Sequence, residues 1–567
     1  MSSYSVPIES QKVLENGILN HPYQAVPAEA KTLFNKVKFV GRDRPSMPIN
    51  WRFAESVAAL KGFEAIMLNL LLSRKYHLPP QEITINTDHA QLFLMSFFLL
   101  EVNPPTLESP IKTTELRELN ATHAKHFPSW DLHHQVSSQY RKAVTNIYKT
   151  RDQRFYHLHA SLNPDLSLEA LGLPWDMPEL KTIEESWAPF ATKMVEKDAA
   201  EWDSILAEGF KQAGTICHTP DEYGQTPQGK SHSNVGLYDI QHFPDSSVKA
   251  GWWPSVEATS VKRPLAGLKV VDLTRIVAGP SISRGLAELG ASVMRITGPH
   301  IADFSGLHPD LNWGKWNAHL DLRQEDDRAK FRELLLDADI VVNGYRPGVL
   351  DKYGAGYESV FALGKQRGRG YIYARENCFG WGGPWSHRSG WQPISDACTG
   401  VAMGFGQAMG NDEPVVPVLP NSDYCVGIAG VCGVLEALIQ RAEQGGSFLV
   451  NLALNYYNKW LVDHVGEYPG PVWDEVWVRN GRKVFRHYHS MNYTAPRYME
   501  MFREQGMFDV EFFEIRTSNA LGLKFRVPKP VLQFPPETVE PGYNVGTRGN
   551  GVDQPYWPSD LMTEVVK

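Results

Sequence analysis

Apolar residues recur at helical spacing between Trp51 and Arg74, where Ala58, Leu60, Ala65, Leu68 and Leu72 give a broad apolar face. A short alternating run at Glu82–Asn86 predicts a strand. Residues 1–49 are polar with scattered Pro and Gly and predict an arm, 105–262 mixes short helices and strands with Pro-rich breaks, and 249–263 reads as a linker. Beyond the linker the pattern becomes regular. Strands are predicted at Leu268–Leu273, Ser292–Ile296, Asp339–Asn343 and Tyr371–Ala374, and helices at Ser283–Leu289, Asp327–Leu336 and Val426–Ala442. Strands alternating with helices at this spacing predict βαβ units around a parallel sheet, so the fold class is α/β.

Length and composition narrow the chemistry. The chain has 567 residues and a net charge of −8, which argues against a general nucleic-acid binder, since that needs a basic footprint. The five cysteines have no CxxC spacing, so neither a disulfide scaffold nor a structural zinc site is expected. The apolar runs at 65–72 and 91–100 are too short to span a bilayer and read as core. A cytoplasmic protein without membrane partners is the expectation.

Three basic residues sit where βα loops should emerge: Arg275 after the first regular strand, Lys315 before an apparent strand at His319–Leu322, and Arg346 after Asp339–Asn343. Ligands of open α/β sheets bind at the carboxyl ends of the strands, so this trio predicts an anion crevice without a GxGxxG fingerprint. Asp423 precedes the apolar helix and reads either as a helix cap or as an ionised carboxylate nucleophile. His157/His159 and His487/His489 form two His-x-His pairs, but no further ligand lies nearby and no metal is expected. No GxSxG occurs, and Cys398 and Cys425 read as core. There is also weak self-similarity. Ala54–Ser73 lies on Ser422–Arg441 without gaps, which sets Glu55 against Asp423.

Five segments, in order, resemble class III CoA-transferases, the formyl-CoA transferase, carnitine CoA-transferase and α-methylacyl-CoA racemase relatives. They are 263–280 (RPLAGLKVVDLTRIVAGP), 286–296 (LAELGASVMRI), 343–354 (NGYRPGVLDKYG), 379–385 (FGWGGPW) with Gly390, and Asp423 with Gly427 followed by 444–450 (QGGSFLV). The resemblance implies a Rossmann-like CoA-binding domain with smaller α+β domains. It also implies that Asp423 attacks an acyl-CoA thioester, that Arg275, Ala278, Lys315 and Arg346 contact CoA, and that Val277, Trp391 and Gln392 shape the substrate pocket. Coenzyme A is then a co-substrate, and the partners are an acyl-CoA and a small carboxylic acid.

Trp391 stands where the racemase branch has a catalytic histidine, so transfer of CoA between acids is the expected activity. A dimethylsulfoniopropionate lyase-like or isomerase activity and a non-catalytic acyl-CoA binder are the alternatives. The layout resembles fused copies: 1–49 an arm, 50–262 a degenerate copy, 263–470 the CoA-binding domain and 471–567 a small domain. This predicts an interlocked pseudo-dimer within one chain, as a monomer or a homodimer.

Overall fold

The computed structural model describes residues 4–102, 111–112 and 126–567. The first apolar stretch becomes a 24-residue helix, α1 (Phe53–Tyr76), buried along nearly its whole length. The segment before it is not a solvated arm. Val6–Lys12 and Val13–Leu19 are helical, and Leu14, Ile18 and Leu19 bury against the main core. Too few apolar residues stand among the polar ones there for the pattern to show in the sequence.

A seven-stranded sheet carries the centre of the molecule: β1 (Tyr238–Phe243), β2 (Lys269–Leu273), β3 (Ser292–Thr297), β4 (Lys315–His319), β5 (Ile340–Asn343), β6 (Ile372–Asn377) and β7 (Ser447–Ala453). Their spatial order is β4-β3-β2-β5-β6-β7-β1. All neighbours are parallel except β1, which runs antiparallel to β7. Because β1 precedes residue 263, the sheet draws on both sides of the expected domain boundary. β2, β5 and β7 and the first half of β6 are mostly apolar runs, as expected of strands covered on both faces.

One face is covered by α2 (Ala278–Glu288) and α4 (Asn421–Gln444), with α3 (Gln392–Thr399) beside them. Glycines let α2 and α4 approach closely: a Cβ added at Gly427 would lie 2.5 Å from Ser281 Cβ, and one at Gly430 2.6 Å from Ile282 Cγ1. α1 packs on the outer side of α4. Both long helices are apolar and long enough to cross a bilayer, but 94% of the apolar window of each is buried inside the protein. Their hydrophobicity is used in the core.

Two smaller sheets flank this body. Asn146–Lys149, Phe155–His159 and Ala213–Ile216 form a three-stranded antiparallel sheet with its own core around Tyr148, Tyr156, Phe190 and Trp202. Phe513–Ser518 and Leu523–Pro528 pair with each other and, further on, with Glu101–Val102. The second His-x-His pair is not a strand. Residues 484–489 form a turn, and His487 Nδ1 lies 2.8 Å from Glu413.

Candidate active site

The strand order reverses between β2 and β5, and there the loops leaving the two strands diverge. A cavity of about 300 Å³ opens at this point. Its wall includes Thr274–Ile276 and Ala278–Pro280 after β2, Gly344–Pro347 after β5, Glu376–Cys378 at the end of β6, Arg388–Trp391 before α3, and Asp423 in α4.

The turn after β2 is held from below by a buried carboxylate. Asp272 accepts hydrogen bonds from the Thr274 and Ser283 hydroxyls and pairs with Lys315 Nζ at 2.9 Å, all out of water. Burial opposes ionisation of Asp272, but Lys315, Arg295 and the two hydroxyls outweigh it and hold its pKa below the ordinary value. Lys315 Nζ also donates to the Pro280 carbonyl at 2.9 Å. Lys315 therefore does not line the cavity and is no phosphate ligand in this structure. The alternation that buries Trp316 and Ala318 starts the strand at Lys315 itself, and the ammonium is engaged beneath the turn.

Arg275 and Arg346 do line the cavity. Arg275 donates to the Ala302 carbonyl at 3.0 Å and lies 5.5 Å from the Tyr345 ring centroid. Arg346 donates to the Lys211 carbonyl at 3.3 Å. Among the described residues no carboxylate pairs with either. Burial, and then the neighbouring Arg275 charge, lower the pKa of Arg346. Arg388, also on the wall, is by contrast engaged with Asp203 at 3.0 Å and Glu208 at 2.8 Å. The cavity rim thus holds two guanidinium groups with unneutralised charge.

The opposite end is acidic. Asp423 is the third residue of α4, whose cap position is Pro420, so it is not the helix cap. Nor does its position keep it in the ordinary carboxylate range. Burial, then Glu376, then Asp396 push its pKa well above the usual value. Glu376 is pushed up to about 8 by burial. Asp396 in α3 is also pushed up to about 8 by burial, against hydrogen bonds from Asn458 and Gln392.

Of the expected pocket residues, Ala278 and Trp391 line the cavity. Trp391 Nε1 donates to Ser161 Oγ at 2.9 Å, and its ring stacks on His159 with centroids 5.0 Å apart and planes 9° apart. Val277 and Gln392 do not line it. Val277 turns into the core, and Gln392 turns inward to Asp396. Glu376 and Ser161 were not anticipated. Glu376 escapes notice if the strand is ended at Ala374, and Ser161 lies just past the small sheet, 230 residues before its partner Trp391, a proximity no local pattern carries.

The model for "CoA-transferase family III" matches residues 265–467. "Acetyl-coenzyme A transferase nodX" of Hypoxylon pulicicidum is 48% identical over 99% of this chain and 95% of its own length. An "Acyl-CoA transferase" of Gibberella moniliformis is 29% identical over 91% of this chain and 89% of its own. An "Acetyl-CoA:oxalate CoA-transferase" of Acetobacter aceti is 32% identical over 34% of this chain and 51% of its own. The chain belongs to CoA-transferase family III, and it is an enzyme of the CoA-transferase class.

The placement of Lys315 has a measurable consequence. Removing one partner of a buried ion pair typically costs about 3–5 kcal/mol, so Lys315→Ala should lose roughly that much stability in denaturant unfolding.

Proposed function

We propose that the protein moves CoA from an acyl-CoA to a carboxylic acid, with Asp423 as the nucleophile. The observation that carries this reading is one cavity at the strand-order reversal with a nucleophile-capable carboxyl at one end and two uncompensated arginines at the other. CoA bears phosphates at one end and the reactive thioester at the other, so a bipolar cavity suits it. Arg275 and Arg346 would hold phosphate, and the reacting carbonyl would lie at Asp423. The sheet is read as a Rossmann-like nucleotide-binding layer, with ligand at its topological switch point.

In the proposed sequence, the ionised Asp423 attacks the thioester carbonyl, forming an acyl–aspartyl anhydride and expelling CoA thiolate. The thiolate attacks the aspartyl carbonyl, which releases the donor acid and leaves an aspartyl–CoA thioester. The acceptor carboxylate attacks that thioester and regenerates an anhydride and thiolate. Attack of the thiolate on the acceptor acyl carbonyl gives the new acyl-CoA and frees Asp423. A covalent nucleophile splits one hard exchange into easier steps. The elevated pKa of Asp423 means that this anion forms more readily as pH rises, so the rate of enzyme acylation should increase with pH past the ordinary carboxylate range. Trp391 offers no base for racemisation, because an indole N–H can only donate, and here it donates to Ser161. Acetyl-CoA is the donor to try first, given the name of the relative matched over 99% of this chain.

The fused pseudo-dimer belongs to this reading. α1 and α4 have the same length, and Glu55 and Asp423 are each the third residue. The preceding residues share one backbone conformation, Arg52 at φ −77°, ψ 61° and Pro420 at φ −74°, ψ 59°. Ser161, on the wall of the cavity, comes from the first copy, which supports a small domain supplied in cis. Glu55, however, is buried and accepts hydrogen bonds from the Tyr4 and Tyr468 hydroxyls, so its site is filled by the protein itself.

Three outcomes test the reading. Asp423→Asn should lower turnover on the order of 10⁴-fold while CoA still binds, and hydroxylamine should intercept the acyl–aspartyl intermediate as a hydroxamate in the parent alone. Charge-assisted contacts are worth ~1.5–3 kcal/mol each, so in calorimetric titration Arg275→Ala and Arg346→Ala should each weaken CoA binding by roughly 10- to 150-fold. Glu55→Gln should leave turnover within about twofold of the parent in the same transfer assay, whereas a loss near that of Asp423→Asn would mean two working sites.

A further inference from the structure

Glu376 is a carboxyl for which the steps above have no use. It is 9% exposed, and among the described residues it has no hydrogen-bond or ion-pair partner. Strand alternation explains where it points. Ile372 and Ala374 pack into the core shared with α2 and α4, whereas Tyr373 packs into the core on the opposite face. Glu376 follows Ala374 by two residues, so it shares the α2–α4 face, where it lines the cavity beside Asp423. Its oxygen lies close to Gly344 at the start of the β5 loop, 3.8 Å from where a Cβ on that glycine would be. An unpartnered polar group so deeply buried is costly unless something satisfies it. The cavity, and whatever enters it, is what remains to do so.

We infer that Glu376 is a carboxylate-binding residue: as the neutral acid, it donates a hydrogen bond to the carboxylate of the incoming acid and so admits an anion next to Asp423. The inference rests on the transfer reading only in taking that occupant to be a carboxylate. The acceptor carries a full negative charge, and among the described residues the inner end of the cavity holds no free cation to receive it. Arg388 is paired with Asp203 and Glu208, and Arg275 and Arg346 stand at the other end. An ionised Glu376 would repel the acceptor, and a protonated one bridges to it. A carboxylic acid held neutral by an apolar site so that it can donate is an established device.

The groups facing Glu376 are of both signs, and burial decides for the neutral form. Asp423 approaches from α4, with Asp396 of α3 acting on it in turn, and Cys378 stands at the end of β6. Arg275, Tyr345 and Arg346 lie across the cavity from the β2 and β5 loops, and Arg388 stands on the remaining wall. Burial lifts Glu376 to about 8, so its proton is present at neutral pH and leaves as pH rises through that value.

The test is binding of ¹³C-acetate to the CoA-saturated protein, read by NMR line broadening from pH 6.5 to 9.5. The parent should bind acetate at low pH and lose affinity above about pH 8, approaching tenfold per pH unit, as linkage to one proton requires. Glu376→Gln donates at every pH and should stay flat at the parent's low-pH affinity. Glu376→Leu should bind roughly 10- to 150-fold more weakly at pH 6.5. Asp423→Asn should keep the alkaline loss, which assigns the proton to Glu376. If Glu376→Leu binds acetate like the parent, if the alkaline loss survives in Glu376→Gln, or if the parent binds no acetate, the inference is overturned. Should Glu376→Leu fail to fold, the pH profile of Glu376→Gln decides alone. Hydroxylamine trapping reads the transfer chemistry separately: a parent that traps no acyl group yet shows this acetate profile would sink the anhydride route and leave Glu376 in its role.

Discussion

The buried pair of Asp272 and Lys315 is the contact on which the site depends. Asp272 sits near the end of β2, where the strand gives way to the turn that forms one wall of the cavity. It takes two hydroxyl hydrogen bonds and an ammonium, one partner from the turn, one from α2 and one from β4. Lys315 then reaches the Pro280 carbonyl in the first turn of α2. Strand, turn, helix and neighbouring strand are thereby fixed to one carboxylate. A buried ion pair contributes little net stability against an apolar replacement of the same shape. What it supplies here is position, because each partner is too costly to leave unpaired and the turn has one arrangement in which all are satisfied.

That fixed turn lets the cavity keep charge unbalanced along its length. At the rim, Arg275 and Arg346 donate only to backbone carbonyls. At the inner end, Asp423, Glu376 and Asp396 crowd one another, and burial holds all three toward their neutral forms. Desolvation outweighs the arginines because those lie at the far end, and it is the first cause of the shift at each of the three carboxyls. A ligand with anionic phosphates and an uncharged thioester meets both ends without desolvating an unpaired charge. Charging any one of the three carboxyls is what these surroundings make expensive.

Much of the sheet was legible in the sequence, because buried parallel strands are short apolar runs, and the four strands predicted at 268–273, 292–296, 339–343 and 371–374 lie within about three residues of their observed ends. Asp423, Arg275 and Arg346 were legible for a related reason: polar residues at the ends of apolar elements stand out. The failures are equally physical. Lys315 looked like a loop cation because the strand following it was begun four residues late, and a lysine opening a strand turns inward only when a carboxylate such as Asp272 waits there. Val277 and Gln392 were set in the pocket by resemblance, but one rotation at each helix start turns them to the core. Glu376 looked like loop because β6 continues to Asn377 past its apolar part. Ser161 depends on how a separate small sheet docks, which only the assembled fold specifies.

The two long helices show why one site is open and the other closed. Each begins with an acidic third residue after the same backbone bend, and they pack on each other across the core. Asp423 has β2, β5 and β6 beside it, and the loops of those strands diverge to leave a cavity. Glu55 has beside α1 only the short parallel pair Val37–Val40 and Ile83–Asn86, with no diverging loops to hold space open. Burial without a cavity leaves a carboxyl only the protein's own donors, and Tyr4 and Tyr468 supply them, with the Arg52 charge nearby. The helical N-terminal segment is thus explained by the same constraint: it brings Tyr4 to a buried acid that would otherwise be unsatisfied. Similar helix starts need not give similar sites, because an open site requires the void that the neighbouring strands create, and the acid alone cannot make it.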